Sequence, residues 1–257
     1  LFSMKKLFNF ILSIILLLFS FYYTNKVLIF IKNKDPLMKQ IKNLENKYYK
    51  EPLNATIKNN TIIPGLNGYY LNIDSSYKKL KRIKSFKENS LIIETKKPDV
   101  SLLDNIDKYI INGNLNKKNI SIIINTNNLD VIKYYENTNI NFILTKNFLL
   151  NNLTYLNTIS NNIIVSQTDL IKTKRINYCY ETDLNNLNIC SNYNKFTIVP
   201  DIITSNYYYN SINKLKNGKI LCFRILNNNS LKELDVLIKS INNLNYKIVS
   251  IDELIKE

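Results

Sequence analysis

The chain has 257 residues, with 35 Lys and Arg against 20 Asp and Glu for a formal net charge of +15, and it contains neither histidine nor tryptophan. A hydrophobic content of 45% excludes a disordered polymer, and the missing imidazole removes the commonest neutral ligand for zinc-type metals. The charge favours anionic surfaces such as lipid headgroups or envelope polymers. Nucleic acid is not expected, because the lysines are scattered and no aromatic-interleaved RNA motif accompanies them.

Met4-Lys5-Lys6 precedes an apolar run from Leu7 to Tyr23, interrupted only by Asn9, Ser13 and Ser20. At about 17 residues it reaches the lower limit for crossing a hydrocarbon core. Met4 reads as the initiating residue, with Leu1-Phe2-Ser3 an upstream extension. A cleaved signal peptide needs small residues after its core, whereas this core ends in Phe21-Tyr22-Tyr23-Thr24-Asn25-Lys26, whose aromatics suit a membrane interface. Residues 1–34 are therefore expected to form an uncleaved single-pass anchor in the plasma membrane, with the body extracytoplasmic. Lysines flank both ends and leave the orientation open.

From Asp35 to Lys50, Leu37, Met38, Ile41, Leu44 and Tyr48 recur at helical spacing and predict a stalk helix ended by Pro52. Short extended segments at 55–57, 61–63 and 90–95, with a helix over 75–83, predict a small α+β subdomain, so that residues 35–112 form one region. From 113 to 257 strands and helices alternate. Strands are expected at 120–124, 140–145, 163–165, 175–180, 219–226 and 246–251. The helices between them fall at 129–136, 147–159, 202–215 and 230–244. Such alternation predicts α/β with a mainly parallel sheet, and about 140 residues is short for a complete eight-stranded barrel.

Cys179 and Cys190 flank a polar loop that a disulfide could close, as an oxidising compartment would permit. Cys222, inside Ile220-Leu221-Cys222-Phe223, reads as a small buried hydrophobe. Three cysteines without histidine make a poor zinc set.

The segments Leu215-Lys216-Asn217-Gly218-Lys219-Ile220-Leu221, Leu231-Lys232-Glu233-Leu234-Asp235 and Tyr246-Lys247-Ile248-Val249-Ser250-Ile251-Asp252-Glu253-Leu254 resemble the end of polysaccharide deacetylases of the NodB-homology type, carbohydrate esterase family 4. Ile120 to Asn127, Ile140 to Leu144 and Asn162 to Thr168 resemble its earlier strands. Asn54 to Gly68 resembles a divergent membrane-anchored bacterial branch. The resemblance implies an incomplete (β/α) barrel over 113–257, preceded by the small subdomain and the anchor.

Active members use a Thr-Phe-Asp-Asp motif, two metal-binding histidines and a further histidine that protonates the leaving amine. Carried over, the two carboxylate positions hold Asn125 and Thr126. Gln167 stands at the first ligand histidine, the second falls near Ile171, and Arg224 ends the late strand in place of histidine. An amide is no general base near neutral pH, isoleucine binds no metal, and arginine keeps its proton. The resemblance thus implies a lost zinc site, no cofactor and no deacetylase activity.

Three functions remain. The first is a membrane-anchored pseudoenzyme that binds cell-wall polysaccharide or another anionic envelope polymer. Asn125, Asn127, Arg224 and the Tyr207-Tyr208-Tyr209 triplet are its candidate contacts, although the triplet suits ordinary helix-surface and core packing better than sugar binding. Arg224 could instead pair with Asp201. The second is a hydrolase using substitute acids among Asp130, Asp169, Asp183 and Asp201, residues that also suit helix caps or solvent-facing loops. The third is a structural envelope protein acting through protein contacts.

Overall fold

The computed structural model describes residues 2–205 and 212–257. Along the chain, α1 (Phe2–Lys34) and α2 (Pro36–Asn43) lead to the hairpin β1 (Thr56–Lys58) and β2 (Thr61–Ile63). Next come β3 (Gly68–Leu71), α3 (Ile73–Ile83) and β4 (Ile93–Lys96). Two compact units result, one of residues 1–51 with 68–96 and the other of 52–67 with 97–257.

In the first unit, α1 contains the stretch Phe8–Lys34, long and apolar enough to cross a membrane and without buried residues. Asp35 ends it and caps α2, its carboxylate accepting from the Leu37 N–H at 2.9 Å with Pro36 at the first helical position, the favoured start of a helix. Met38 and Ile41 of α2 pack with Leu71, Tyr77 and Leu80 in a small core. The expected stalk helix is shorter than its periodicity suggests: α2 stops at Asn43 and only a 3-10 turn, Asn46–Tyr48, follows. Asn72 caps α3 through the Ser75 N–H at 2.9 Å, and β3 and β4 pair antiparallel.

The second unit is built on a curled sheet forming an incomplete barrel. Its strands β5 (Tyr109–Ile110), β6 (Asn119–Asn125), β7 (Asn141–Ile143), β8 (Ile163–Ser166), β9 (Ile176–Tyr180), β10 (Thr197–Ile198), β11 (Ile202–Thr204), β12 (Ile220–Arg224) and β13 (Lys247–Ile248) join the first hairpin. The order is β1-β2-β5-β10-β9-β8-β7-β6-β12-β11, with β13 also on β6, and every pairing except β1–β2 is parallel. Successive side chains of a strand point to opposite faces. Ile120, Ile122 and Ile124 therefore join one core with Val131 and Ile132 of α4 (Leu129–Tyr135) and with Leu234, Leu237 and Ile241, while Ile123 joins Ile143, Ile164, Ile198 and Cys222 on the other face. Burial on both faces explains the unbroken apolar runs.

Several elements differ from the sequence expectation. Ile202–Thr204, read as the start of a helix, is β11, parallel to β12 with Ile202 opposite Leu221; its β-branched residues fit a pleated surface when a neighbouring strand is available. The helix expected over 147–159 breaks at Asn152 into α5 (Lys146–Asn151) and α6 (Leu153–Leu156). The later helix is α7 (Asn228–Asn243), and the closing strand is only β13, followed by α8 (Ile251–Leu254). Segments 56–63 and 109–110, grouped by sequence with residues 35–112, pair into the large sheet, where Ile62 and Ile110 are fully buried. The Tyr207–Tyr209 triplet lies outside the described residues.

Cys179 and Cys190 are disulfide-bonded with Cα atoms 6.3 Å apart, and Cys222 is a buried free thiol. Burial pushes Cys222 up to about 12. It also raises the phenols of Tyr135, which donates to Asp235 at 2.7 Å, and of Tyr178, which donates to Asp252. Tyr155, affected by burial and by its bond to Glu136, is pushed up to about 12. These groups keep their protons longer in the folded than in the unfolded chain, so their stabilisation is complete below the unfolded values and is lost as pH rises through the folded ones. Urea midpoints should hold from pH 7 to 8 and fall between about pH 9 and 12. A flat profile across that window would refute the assignment, and Tyr178→Phe should shallow the fall.

Candidate functional site at the strand ends

Because β6 to β10 and β12 run parallel, their C-terminal ends share one rim, the edge at which curled α/β sheets carry their sites. Asn125 closes β6 and Arg224 closes β12, and the two are register partners; Asn125 is also opposite Ile143, and Ser166 opposite Tyr180. Alternation places Asn125 on the face of Ile123, Arg224 on that of Cys222 and Tyr180 on that of Tyr178. All three thus lie on the side opposite the α4 core. Arg224 is exposed and Asn125 half-buried, and the Asn125 amide has no side-chain hydrogen bond among the described residues.

The Tyr180 hydroxyl is buried without a hydrogen-bond partner among the described residues. Burial raises its pKa and the nearby Arg224 guanidinium opposes that rise. An unsatisfied buried hydroxyl costs free energy unless another group meets it. The sequence reading did not single out Tyr180 or its neighbour Glu181, although Tyr178-Cys179-Tyr180 alternates as a strand end does.

The other candidates serve local structure. Thr126 is buried and its hydroxyl accepts from the Asn128 N–H at 3.2 Å. Asn127 accepts from the Thr145 N–H at 3.0 Å and from its hydroxyl at 3.1 Å, bridging the ends of β6 and β7, and Asn128 caps α4. Gln167 is buried and bonded at both ends of its amide, donating to Glu181 at 2.9 Å and accepting from the Ile189 N–H at 2.7 Å. Glu181 would be raised by burial, but the Thr182 and Asp183 amides and Gln167 outweigh it and hold the carboxyl below its ordinary value. Ile171 packs against the helix-side core.

Among the acids, Asp201 pairs with Lys219 at 2.5 Å; no ion pair joins Arg224 to it among the described residues. Asp183 accepts from the Asn185 N–H at 2.9 Å in a turn, Asp130 lies in the first turn of α4, and Asp169 ends a 3-10 turn, Gln167–Asp169. No three His, Cys, Asp or Glu side chains come together among the described residues. The rim instead offers a free amide, an engaged hydroxyl, an amide engaged at both ends and a guanidinium. That donor set does not fit zinc. A groove of about 900 Å³ lies elsewhere, against the helices, lined by Tyr134, Tyr135, Asp235 and Tyr246.

No protein-family model matches the chain. The crystal structure of wild-type BA3943, a CE4 family pseudoenzyme from Bacillus anthracis, aligns with a TM-score of 0.57 at 20% identity, covering 87% of this chain and 96% of that one. A BA3943 mutant with restored enzymatic activity aligns with a TM-score of 0.58 at 20% identity, covering 87% and 99%. This is the CE4 fold. The deacetylase-type barrel expected from Asn217-Gly218 and the closing segments is therefore present, with an apolar helix at the N-terminus. Identity at this level carries the CE4 fold and leaves chemistry to be argued from the rim. A curated relative, the uncharacterized protein YlxY of Bacillus subtilis, is 37% identical over 94 residues, which make up 36% of this chain and 30% of YlxY. The chain thus spans about a third of that relative's length.

Proposed function

We propose that this chain is a catalytically silent, CE4-type envelope protein, anchored in the plasma membrane by α1, whose strand-end rim holds cell-wall polysaccharide without deacetylating it. The carrying observation is the side-by-side placement of Asn125 and Arg224 on the face that also bears the buried Tyr180 hydroxyl, which lies near the Arg224 guanidinium and has no other partner among the described residues. An amide, a guanidinium and a phenol can bind sugar hydroxyls or a carboxylate, but arginine that keeps its proton cannot shuttle one. Thr126 and Gln167, at the positions where the resemblance expects metal ligation, are held in local hydrogen bonds. An extracytoplasmic body accords with the Cys179–Cys190 bond, since disulfides persist in oxidising compartments. The likeness to BA3943, called a pseudoenzyme, supports the silent reading.

The test offers the full chain in detergent N-acetylated glycan oligomers with added zinc or cobalt, and in parallel isolated cell wall. Acetate release should not exceed the protein-free control. Wall binding should weaken about tenfold in Arg224→Ala, the loss of roughly one charge-assisted hydrogen bond. Acetate release that disappears on changing Glu181 or one of the four aspartates would establish a substitute hydrolase instead. Absence of both turnover and binding would leave the structural-protein reading.

A further inference from the structure

The positive charge is unevenly distributed. The first unit holds 16 Lys and Arg against 6 Asp and Glu, a net +10 of the chain's +15. Most of its carboxylates are engaged inside the unit. Asp35 accepts from the Leu37 N–H at 2.9 Å and the Tyr77 hydroxyl at 2.7 Å, Asp74 binds Lys32 at 2.6 Å, Glu88 binds Lys47 and Tyr48, and Glu94 accepts from Tyr70 and Asn72. Lys34, Lys42, Lys78 and Lys81 are among the several cations of this unit that have no carboxylate ion pair among the described residues. Lys34 lies over the Phe30 ring at 4.4 Å, Lys42 donates to the Asn33 side chain at 3.0 Å, and Lys81 donates to the Tyr77 hydroxyl at 2.9 Å. Lys42 and Lys78 both act electrostatically on Asp74, which Lys32 holds. The four cations thus gather where α1 ends.

Length fixes the depth of that point. The 27-residue stretch Phe8–Lys34 is about 40 Å long at 1.5 Å per residue, close to the about 40–45 Å of a bilayer with its headgroups. A helix that begins in one headgroup layer therefore delivers Lys32 and Lys34 to the other. The Lys32–Asp74 pair and the Tyr77–Asp35 bond fasten α3, with Lys78 and Lys81, beside them. Lysines at that depth experience the negative surface potential of anionic lipids, which fades within a Debye length.

We propose that Lys34, Lys42, Lys78 and Lys81 form a cationic collar that binds the phosphates of anionic lipid headgroups around the end of α1. The collar rests on the reading of α1 as a membrane anchor. It gives the first unit a lipid-binding surface separate in sequence from the rim of the second.

The test places the full chain in nanodiscs of phosphatidylcholine, alone or with phosphatidylglycerol, and reads the acetylation rate of each lysine by mass spectrometry. The four collar lysines should react at least threefold more slowly with phosphatidylglycerol, recover in high salt, and show no slowing in phosphatidylcholine, while Lys232 and Lys239 of α7 react equally in both. Lys34→Gln, Lys42→Gln, Lys78→Gln and Lys81→Gln combined should abolish retention of phosphatidylglycerol on the purified chain. Equal collar rates in a chain that co-elutes with both nanodiscs would overturn the collar and leave the anchor standing. Failure to co-elute with either would overturn the anchor, and the collar with it. Slowing by a soluble wall polyphosphate but not by phosphatidylglycerol would overturn the lipid assignment.

Discussion

Replacing Gly218 by alanine should destabilise the chain by about 3 kcal/mol, from roughly 1–2 kcal/mol for a side chain in the left-handed region and a similar overpacking cost. Gly218 has φ +79°, and a Cβ there would lie 2.5 Å from the Gly113 carbonyl oxygen. That closeness is required, because Gly113 N–H donates to the Gly218 carbonyl at 2.7 Å and Gly218 N–H to that of Asn119 at 2.8 Å. These bonds join the entry of β12 to the entry of β6, the two strands that end in Arg224 and Asn125. Urea unfolding of the full chain in detergent measures the loss. Gly218→Asn should be nearly as damaging, since asparagine tolerates the positive φ but adds the same Cβ; near-normal stability of that variant would mean that the close approach is not what requires glycine.

Opening Cys179–Cys190 should cost about 3 kcal/mol, the chain-entropy value for a loop of this size; the two residues are 11 apart in sequence. The loss should be accompanied by a local one. The loop carries Glu181 and Ile189, the two partners of Gln167, so Cys179→Ser with Cys190→Ser should speed amide exchange at Ile189 beyond the change at Ile123 in β6. Uniform acceleration would assign the bond a global role only. Cys222 is a free thiol, which dithiothreitol leaves unchanged, so the reductant added during urea unfolding should have a comparable effect on the wild-type chain and none on the double variant.

The apolar runs were the most legible part of the fold. Ile120 to Ile124, Ile163 to Val165 and Ile220 to Phe223 are strands as read, because continuous burial on both faces leaves little alternative for β-branched runs. Helix starts were marked less sharply by periodicity than by capping residues such as Asn72 and Asn128, whose side chains meet nearby N–H groups. Ile202–Thr204 was misread because a three-residue strand has too few positions to reveal its period; only the neighbouring β12 makes it one. The rim was legible in part. Asn125 and Arg224 stood out by the resemblance, whereas Tyr180 and Glu181 gave no comparable signal.

The sequence by itself determined an apolar N-terminal helix, a strong positive charge, a chain without imidazole, the alternation of strand and helix, and a cysteine spacing open to closure. These follow from composition and local periodicity, which act within a few residues. Only the tertiary structure decided that Arg224 is the register partner of Asn125, that Gln167 is bonded to Glu181 and Ile189, and that segments 56–63 and 109–110 complete the large sheet. Those outcomes depend on parallel strands brought together over long sequence separations, where pairing and burial select partners that no local pattern specifies.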